Sequence, residues 1–141
     1  MTHFLIVGAS RGLGLGFSIG LPDLGDTVFL VSRTRPPTLD RSDGVSRIWI
    51  QADLSVSQTA AVKVAEAIGD RAIDFLLYNA GIWEENAFEP TYSFEQSTPE
   101  EMEQIMHVNL LSAILCTHRL IPNLKLSSNP RVVYILVRFQ H

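Results

Sequence analysis

Three glycines in the run Gly8-Ala9-Ser10-Arg11-Gly12-Leu13-Gly14 stand where an apolar stretch ends and a helical pattern begins. Glycine at such a turn can take positive φ and puts no Cβ in the way of an approaching pyrophosphate. The helix that follows offers unpaired N–H groups and the positive end of its dipole. The chemistry implied is the holding of a dinucleotide's phosphates, and the plain alternative is an ordinary tight turn between strand and helix. Farther along, Asp53-Leu54, Asn79-Ala80-Gly81 and Asn109 are further polar candidates. Each has a simpler reading. Asp53 could serve only a strand end or helix entry. Asn79 could cap a strand end through backbone bonds. Asn109 falls mid-helix, where asparagine is disfavoured unless it makes a buried polar bond.

Other chemistries find little footing. Cys116 is the one cysteine, so no internal disulfide can form, and it reads as an inert residue packed in a helix. His107 and His118 lie on one helix about 16 Å apart, too far to share a metal ion, and no His, Cys and carboxylate cluster suggests a metal site. Net charge is −4 with no lysine/arginine cluster, which argues against nucleic acid and anionic membrane surfaces as partners. No apolar run approaches the roughly 20 residues of a membrane helix. The apolar start, Met1 to Gly8, lacks a preceding basic segment and a small-residue cleavage site, so it reads as a buried strand and the location expected is cytoplasmic.

Short apolar runs alternate with helical patterns, the signature of a parallel α/β sheet. Strands are expected at His3–Val7, Thr27–Ser32, Ser46–Gln51, Ile73–Tyr78 and Arg131–Arg138. Helices are expected from about Leu13 to Gly20, from Ser57 to Ile68 with Gly69 as C-cap, and from Thr98 to about Leu120, before Pro122. In the last, Thr98 caps, Pro99 fits the first turn and Glu101 completes a capping box. Arg33 to Gly44 is polar and holds Pro36 and Pro37, so any helix there is short. Ile82 to Ser97 is a long polar connection whose Trp83, Phe88, Tyr92 and Phe94 could line a pocket or cover an edge. With 141 residues the chain has length for one domain with one core.

The spacing Gly-x-x-x-Gly-x-Gly resembles that of the short-chain dehydrogenase/reductase family, although Val7 stands where that family usually has threonine. The other landmarks match in order: Asp53-Leu54 as the acidic residue at the adenine, Asn79-Ala80-Gly81 as the Asn-Ala-Gly motif, and Asn109 as the helix asparagine. The resemblance covers nearly the whole chain. It implies a Rossmann-type doubly wound parallel sheet of about five strands, truncated after the fifth, so that residues 1–141 make a single, incomplete NAD(P)-binding domain. The cofactor-binding residues implied are Gly8, Ser10, Arg11, Gly12, Leu13, Gly14, Arg33, Asp53, Leu54, Asn79, Ala80 and Gly81.

In such a fold the end of the second strand reads the adenosine ribose. A carboxylate there bonds the 2′-hydroxyl of NAD, whereas arginine accommodates the 2′-phosphate of NADP. The strand ends Val31-Ser32-Arg33-Thr34-Arg35, without an acid, and Arg11 supplies a second cation. NADP(H) is therefore favoured over NAD(H), with solvated surface arginines as the alternative. Arg35 reads as more solvated than Arg33.

The resembled family transfers hydride with a serine, a tyrosine and a lysine, assisted by the helix asparagine. Here the two lysines, Lys63 and Lys125, follow Thr59 and Ile121 at the i−4 position, so no Tyr-x-x-x-Lys exists. Tyr134 and Arg138 imitate the spacing, but in a strand they would lie about 13 Å apart, and arginine cannot replace the tunable lysine. Val137 occupies the serine's place. Asn109 alone carries over from the catalytic set. An apolar strand from Val132 to Val137 would be an exposed edge if the chain stopped there. Two functions follow: a carbonyl/alcohol oxidoreductase using NADP(H), inactive as this chain alone, or a non-catalytic dinucleotide-binding module or regulatory partner subunit. Helix 99–120 could pair with a second copy or a full-length relative. The substrate is not legible.

Overall fold

A computed structural model of the chain describes residues 1–10, 12–79 and 94–135. Five strands form one parallel sheet: β1 (His3–Val7), β2 (Thr27–Ser32), β3 (Ser46–Gln51), β4 (Phe75–Tyr78) and β5 (Arg131–Tyr134), in the order β3-β2-β1-β4-β5. β1 is central. Its Leu5 faces Phe29 of β2 on one side and Leu76 of β4 on the other, and the chain reverses its direction of winding between them. This is the doubly wound order expected of alternating strand and helix patterns.

The apolar runs of β1 and β2 are buried on both faces, as a parallel sheet covered by helices requires. Leu5, Val7, Phe29, Val31, Ile50 and Leu76 point to the side packed by α2 (Ser57–Ile68) and α4 (Ser112–Arg119). Phe4, Ile6, Val28, Leu30 and Leu77 point to the other side, where Phe17 of α1 (Gly12–Gly20) meets them. The alternation within each strand thus builds two cores on one sheet. Gly69 closes α2 at φ 63°, its N–H donating to Ala65.

Four expectations need correction. β4 starts at Phe75 rather than Ile73, because the Ile73 N–H donates to the Asn123 carbonyl instead of entering the sheet. The long helix is not continuous. α3 (Pro99–Met106) passes into a wider π turn at His107–Leu111 before α4 begins. Nor does Pro122 end the helical region. It occupies the first turn of α5 (Ile121–Lys125), the position where its missing N–H costs nothing. The Thr98 cap is formed, its hydroxyl accepting from the Glu101 N–H at 3.2 Å. β5 ends at Tyr134 rather than running on through Ile135, and residues 136–138 of the expected strand lie outside the described residues. Val132, Val133 and Tyr134 are exposed along it.

The α1 side is fastened to the margin of the sheet by Arg47 of β3, whose side chain is 1% exposed. Its guanidinium meets both Asp43 oxygens at 2.8 and 2.9 Å and donates to the Ser18 carbonyl of α1 at 2.9 Å. The Arg47 bond, helped by Arg41 and the Val45 N–H, holds the Asp43 carboxyl well below the usual carboxylate range. A carboxyl depressed in the folded state stabilises fully above its unfolded value near 4 and loses that contribution as pH falls below it. Asp43→Asn should therefore lower the urea midpoint at about pH 7 and narrow the gap between midpoints at about pH 7 and about pH 3. An unchanged gap would count against this role.

Candidate functional site

The carboxyl ends of β1 to β4 open into one cleft of about 300 Å³. Gly8 follows β1, Ser32 and Arg33 close β2, Ala52 and Asp53 follow β3, and Asn79 follows β4. The cleft therefore sits where the winding reverses, the general ligand position in open α/β sheets.

The glycine turn forms its floor. Gly8 and Gly12 have φ of 86° and 59°, values that side-chain-bearing residues seldom adopt. The Gly8 N–H donates to the Val31 carbonyl at 2.8 Å, which ties the turn to β2. A Cβ on Gly14 would lie 1.8 Å from the Gly8 carbonyl oxygen, so glycine there lets helix and turn touch. Nothing lies within 4 Å of the space a Cβ would take on Gly12. The first turn of α1 carries no acid to oppose its dipole.

The walls are built by tertiary bonds. Asp53 accepts from the Ser55 hydroxyl at 2.7 Å and the Ser55 N–H at 3.0 Å. Those two bonds, in that order, with the charge of Arg33 adding, hold its carboxyl below the ordinary range. Leu54, next to it, is pinned through its carbonyl by Ser112 of α4 and by Ser57 of α2. Ser112 is fully buried, and its hydroxyl oxygen lies 3.2 Å from that of Ser57. The buried Tyr78 hydroxyl donates to the Val108 carbonyl at 2.6 Å, inside the π turn. Burial pushes the Tyr78 hydroxyl above its ordinary value, so it acts as a fixed donor and not as an acid or base near neutral pH.

These ties predict a measurable cost. Ser112→Ala removes the closer of the two buried hydroxyls on the Leu54 carbonyl, leaving Ser57 at 3.4 Å, and should destabilise the fold by about 0.5–1.5 kcal/mol. Urea unfolding checks this, and a change near zero would mean that water replaces the hydroxyl.

Of the twelve residues expected to hold a cofactor, seven line the cleft: Gly8, Ser10, Gly12, Arg33, Asp53, Leu54 and Asn79. Gly14 supports the floor from beneath. Leu13 is 61% exposed at the start of α1. Arg11, Ala80 and Gly81 lie outside the described residues, as do Trp83, Phe88 and Tyr92 of the long connection. The Asn79 backbone N–H donates to the Val7 carbonyl at 2.9 Å, continuing the β1–β4 ladder one residue past Tyr78. Asn109 is half-buried in the π turn, one residue beyond Val108, which together with Gln104 faces the cleft. Gln104 and Ser55 carry no sequence signal of such a place. It arises from how α3 and the β3–α2 link cross the sheet ends.

Arg33 is exposed at the cleft, whereas the neighbouring Arg35 makes a two-point ion pair with Asp40 at 2.9 Å on each branch. Cys116 is buried, and burial pushes its thiol up to about 11, as suits an inert packed residue. Among the described residues no group of three or more metal-binding side chains occurs, and no helix is long and apolar enough to cross a membrane.

Residues 2–138 match the family model described as short chain dehydrogenase. A short-chain dehydrogenase/reductase of Arthrinium sp, atnB, is 33% identical over 96% of this chain and 54% of its own length. The rhamnolipids biosynthesis 3-oxoacyl-(acyl-carrier-protein) reductase of Pseudomonas aeruginosa is 32% identical over 89% of this chain and 48% of its own. The chain thus spans about half the length of these curated relatives. The fold is that of L-sorbose reductase from Gluconobacter frateurii, solved with NADPH and L-sorbose. The TM-score is 0.80 at 18% identity, over 94% of this chain and 51% of that one.

Proposed function

The chain belongs to the short-chain dehydrogenase family, and on that footing we propose that it carries the NADP(H)-binding part of an oxidoreductase that interconverts a carbonyl and an alcohol. The observation that carries the cofactor choice is Arg33, exposed at the cleft on a β2 end that has no carboxylate. A 2′-phosphate there gains a charge-assisted bond, and the end of β2 offers a 2′-hydroxyl no carboxylate to accept from it.

The residues present fit the group. Gly8, Ser10 and Gly12, with the N-terminus of α1, would hold the pyrophosphate in an open, acid-free cradle. Arg33, with Arg11, would take the 2′-phosphate. Asp53 and Leu54 would border the adenine, and Asn79, Ala80 and Gly81 would follow the cofactor across the end of β4. Bound there, the nicotinamide supplies a hydride donor or acceptor. Asn109 is the member of the family's catalytic set that the sequence retains. The serine and the Tyr-x-x-x-Lys that complete the set are not among these 141 residues. These residues by themselves should therefore bind the cofactor and not turn it over. The exposed Met102, Met106, Leu110 and Ile114, spaced four apart, support pairing through residues 99–120 with a second copy or a longer relative. A cytoplasmic location suits this reading.

Following NADPH consumption with a panel of small ketones and aldehydes tests the separation of binding from turnover. No rate above background is expected. A rate that rises in proportion to purified chain would overturn it.

A further inference from the structure

β3 lies at one margin of the sheet, and its residues 47, 49 and 51 share the face toward α1. Each ends in a donor that reaches a backbone carbonyl or hydroxyl on a neighbouring element. Arg47 holds the end of α1, as described. The Trp49 Nε1–H donates to the Ser32 hydroxyl at 3.1 Å and to the Ser32 carbonyl at 3.3 Å. The Gln51 Nε2–H donates to the Arg33 carbonyl at 3.1 Å. Ser32 in turn donates to the Thr34 carbonyl at 2.6 Å, and its own carbonyl also takes the Ala52 N–H at 3.2 Å. The backbone on both sides of Arg33 is therefore held by β3 side chains, while Asp40 engages Arg35.

We propose that Trp49 and Gln51 are positioning residues for cofactor choice: by fixing the turn Ser32–Thr34 they aim Arg33 at the 2′-phosphate of NADP(H). The inference rests on the NADP(H) reading. Its physical basis is preorganisation. A long, exposed arginine loses rotational freedom when it grips a phosphate, and a turn already fixed in place lowers the total cost of ordering. Neither Trp49 nor Gln51 needs to touch the cofactor. Their loss should weaken the 2′-phosphate contact and leave the rest of the dinucleotide site as it was.

The test compares binding of NADPH and NADH by titration calorimetry for the full chain, Trp49→Phe, Gln51→Ala and Arg33→Ala. Trp49→Phe keeps the ring and removes the N–H. The expected result is a wild-type preference for NADPH that falls by roughly fivefold in each β3 variant, the order of affinity lost when one long side chain must be ordered on binding. NADH affinity should stay near wild type, the unfolding midpoint should fall by no more than the loss of one internal hydrogen bond, and Arg33→Ala should abolish the preference. A wild-type preference that both β3 variants retain overturns the positioning role and leaves the NADP(H) reading standing. Equal weakening of NADPH and NADH also overturns it, since a merely structural role would act so. No wild-type preference overturns both.

Discussion

Gly14→Ala should unfold the start of the molecule and abolish dinucleotide binding. The added Cβ would lie 1.8 Å from the Gly8 carbonyl oxygen and 2.8 Å from its carbon. Both are backbone atoms, so no rotamer change can relieve the clash. Gly8 cannot retreat, because its N–H is bonded to Val31 and its φ of 86° is fixed by the turn. Either α1 moves off the sheet or the turn opens, and both dismantle the phosphate cradle. Overpacking at a tight site typically costs about 1–3 kcal/mol, and a clash with backbone belongs at the upper end. A fall in melting temperature of roughly 10 °C follows for a domain of this size. Gly16 supplies the control. It lies on the same helix with nothing within 4 Å of the space its Cβ would fill. Gly16→Ala should leave binding intact and stabilise the helix by about 0.5–1 kcal/mol. Equal behaviour of the two variants would contradict the close-contact account.

Arg33→Asp should reverse the order of cofactor affinities. The change removes a cation from the cleft mouth and sets a carboxylate beside the incoming 2′-phosphate. A charge-assisted hydrogen bond contributes about 1.5–3 kcal/mol, and like-charge repulsion adds to its loss, so NADPH affinity should drop by roughly a hundredfold. NADH should gain, because the new carboxylate can accept from the ribose 2′-hydroxyl. Asp53 also feels the charge of Arg33, so its carboxyl should titrate higher in the variant. Competitive titration with the two dinucleotides gives the ratio directly. A ratio that does not move would remove Arg33 from the site.

What could be read from the sequence divides along the line between local and long-range causes. The bounds of β1, β2, β3 and α2 follow from apolar runs and helical spacing that belong to those segments alone. The glycine turn is legible for the same reason, since its strand, turn and helix are contiguous. The π turn is not legible. It coincides with the bond from Tyr78 to the Val108 carbonyl, a partner thirty residues away that no local pattern announces. Pro122 misleads as a helix stop, because proline also fits the first turn of a new helix, and packing of the buried Leu124 and Asn123 favours that start. Ser112 reads as an indifferent helix residue until burial makes its hydroxyl the anchor of Leu54. Trp49 and Gln51 likewise gain their place only when β3 pairs with β2 and sets them beside Ser32 and Arg33.

The central claim is that the cleft above β1 and β2 binds a dinucleotide through the glycine turn and selects its 2′-phosphate through Arg33. Melting curves of the chain with equal concentrations of NADPH and NADH test it most directly, since a ligand that binds the folded state raises the midpoint in proportion to its affinity. Both should raise it, and NADPH should raise it more. Equal shifts would contradict the choice of cofactor, and no shift with either would contradict the site itself.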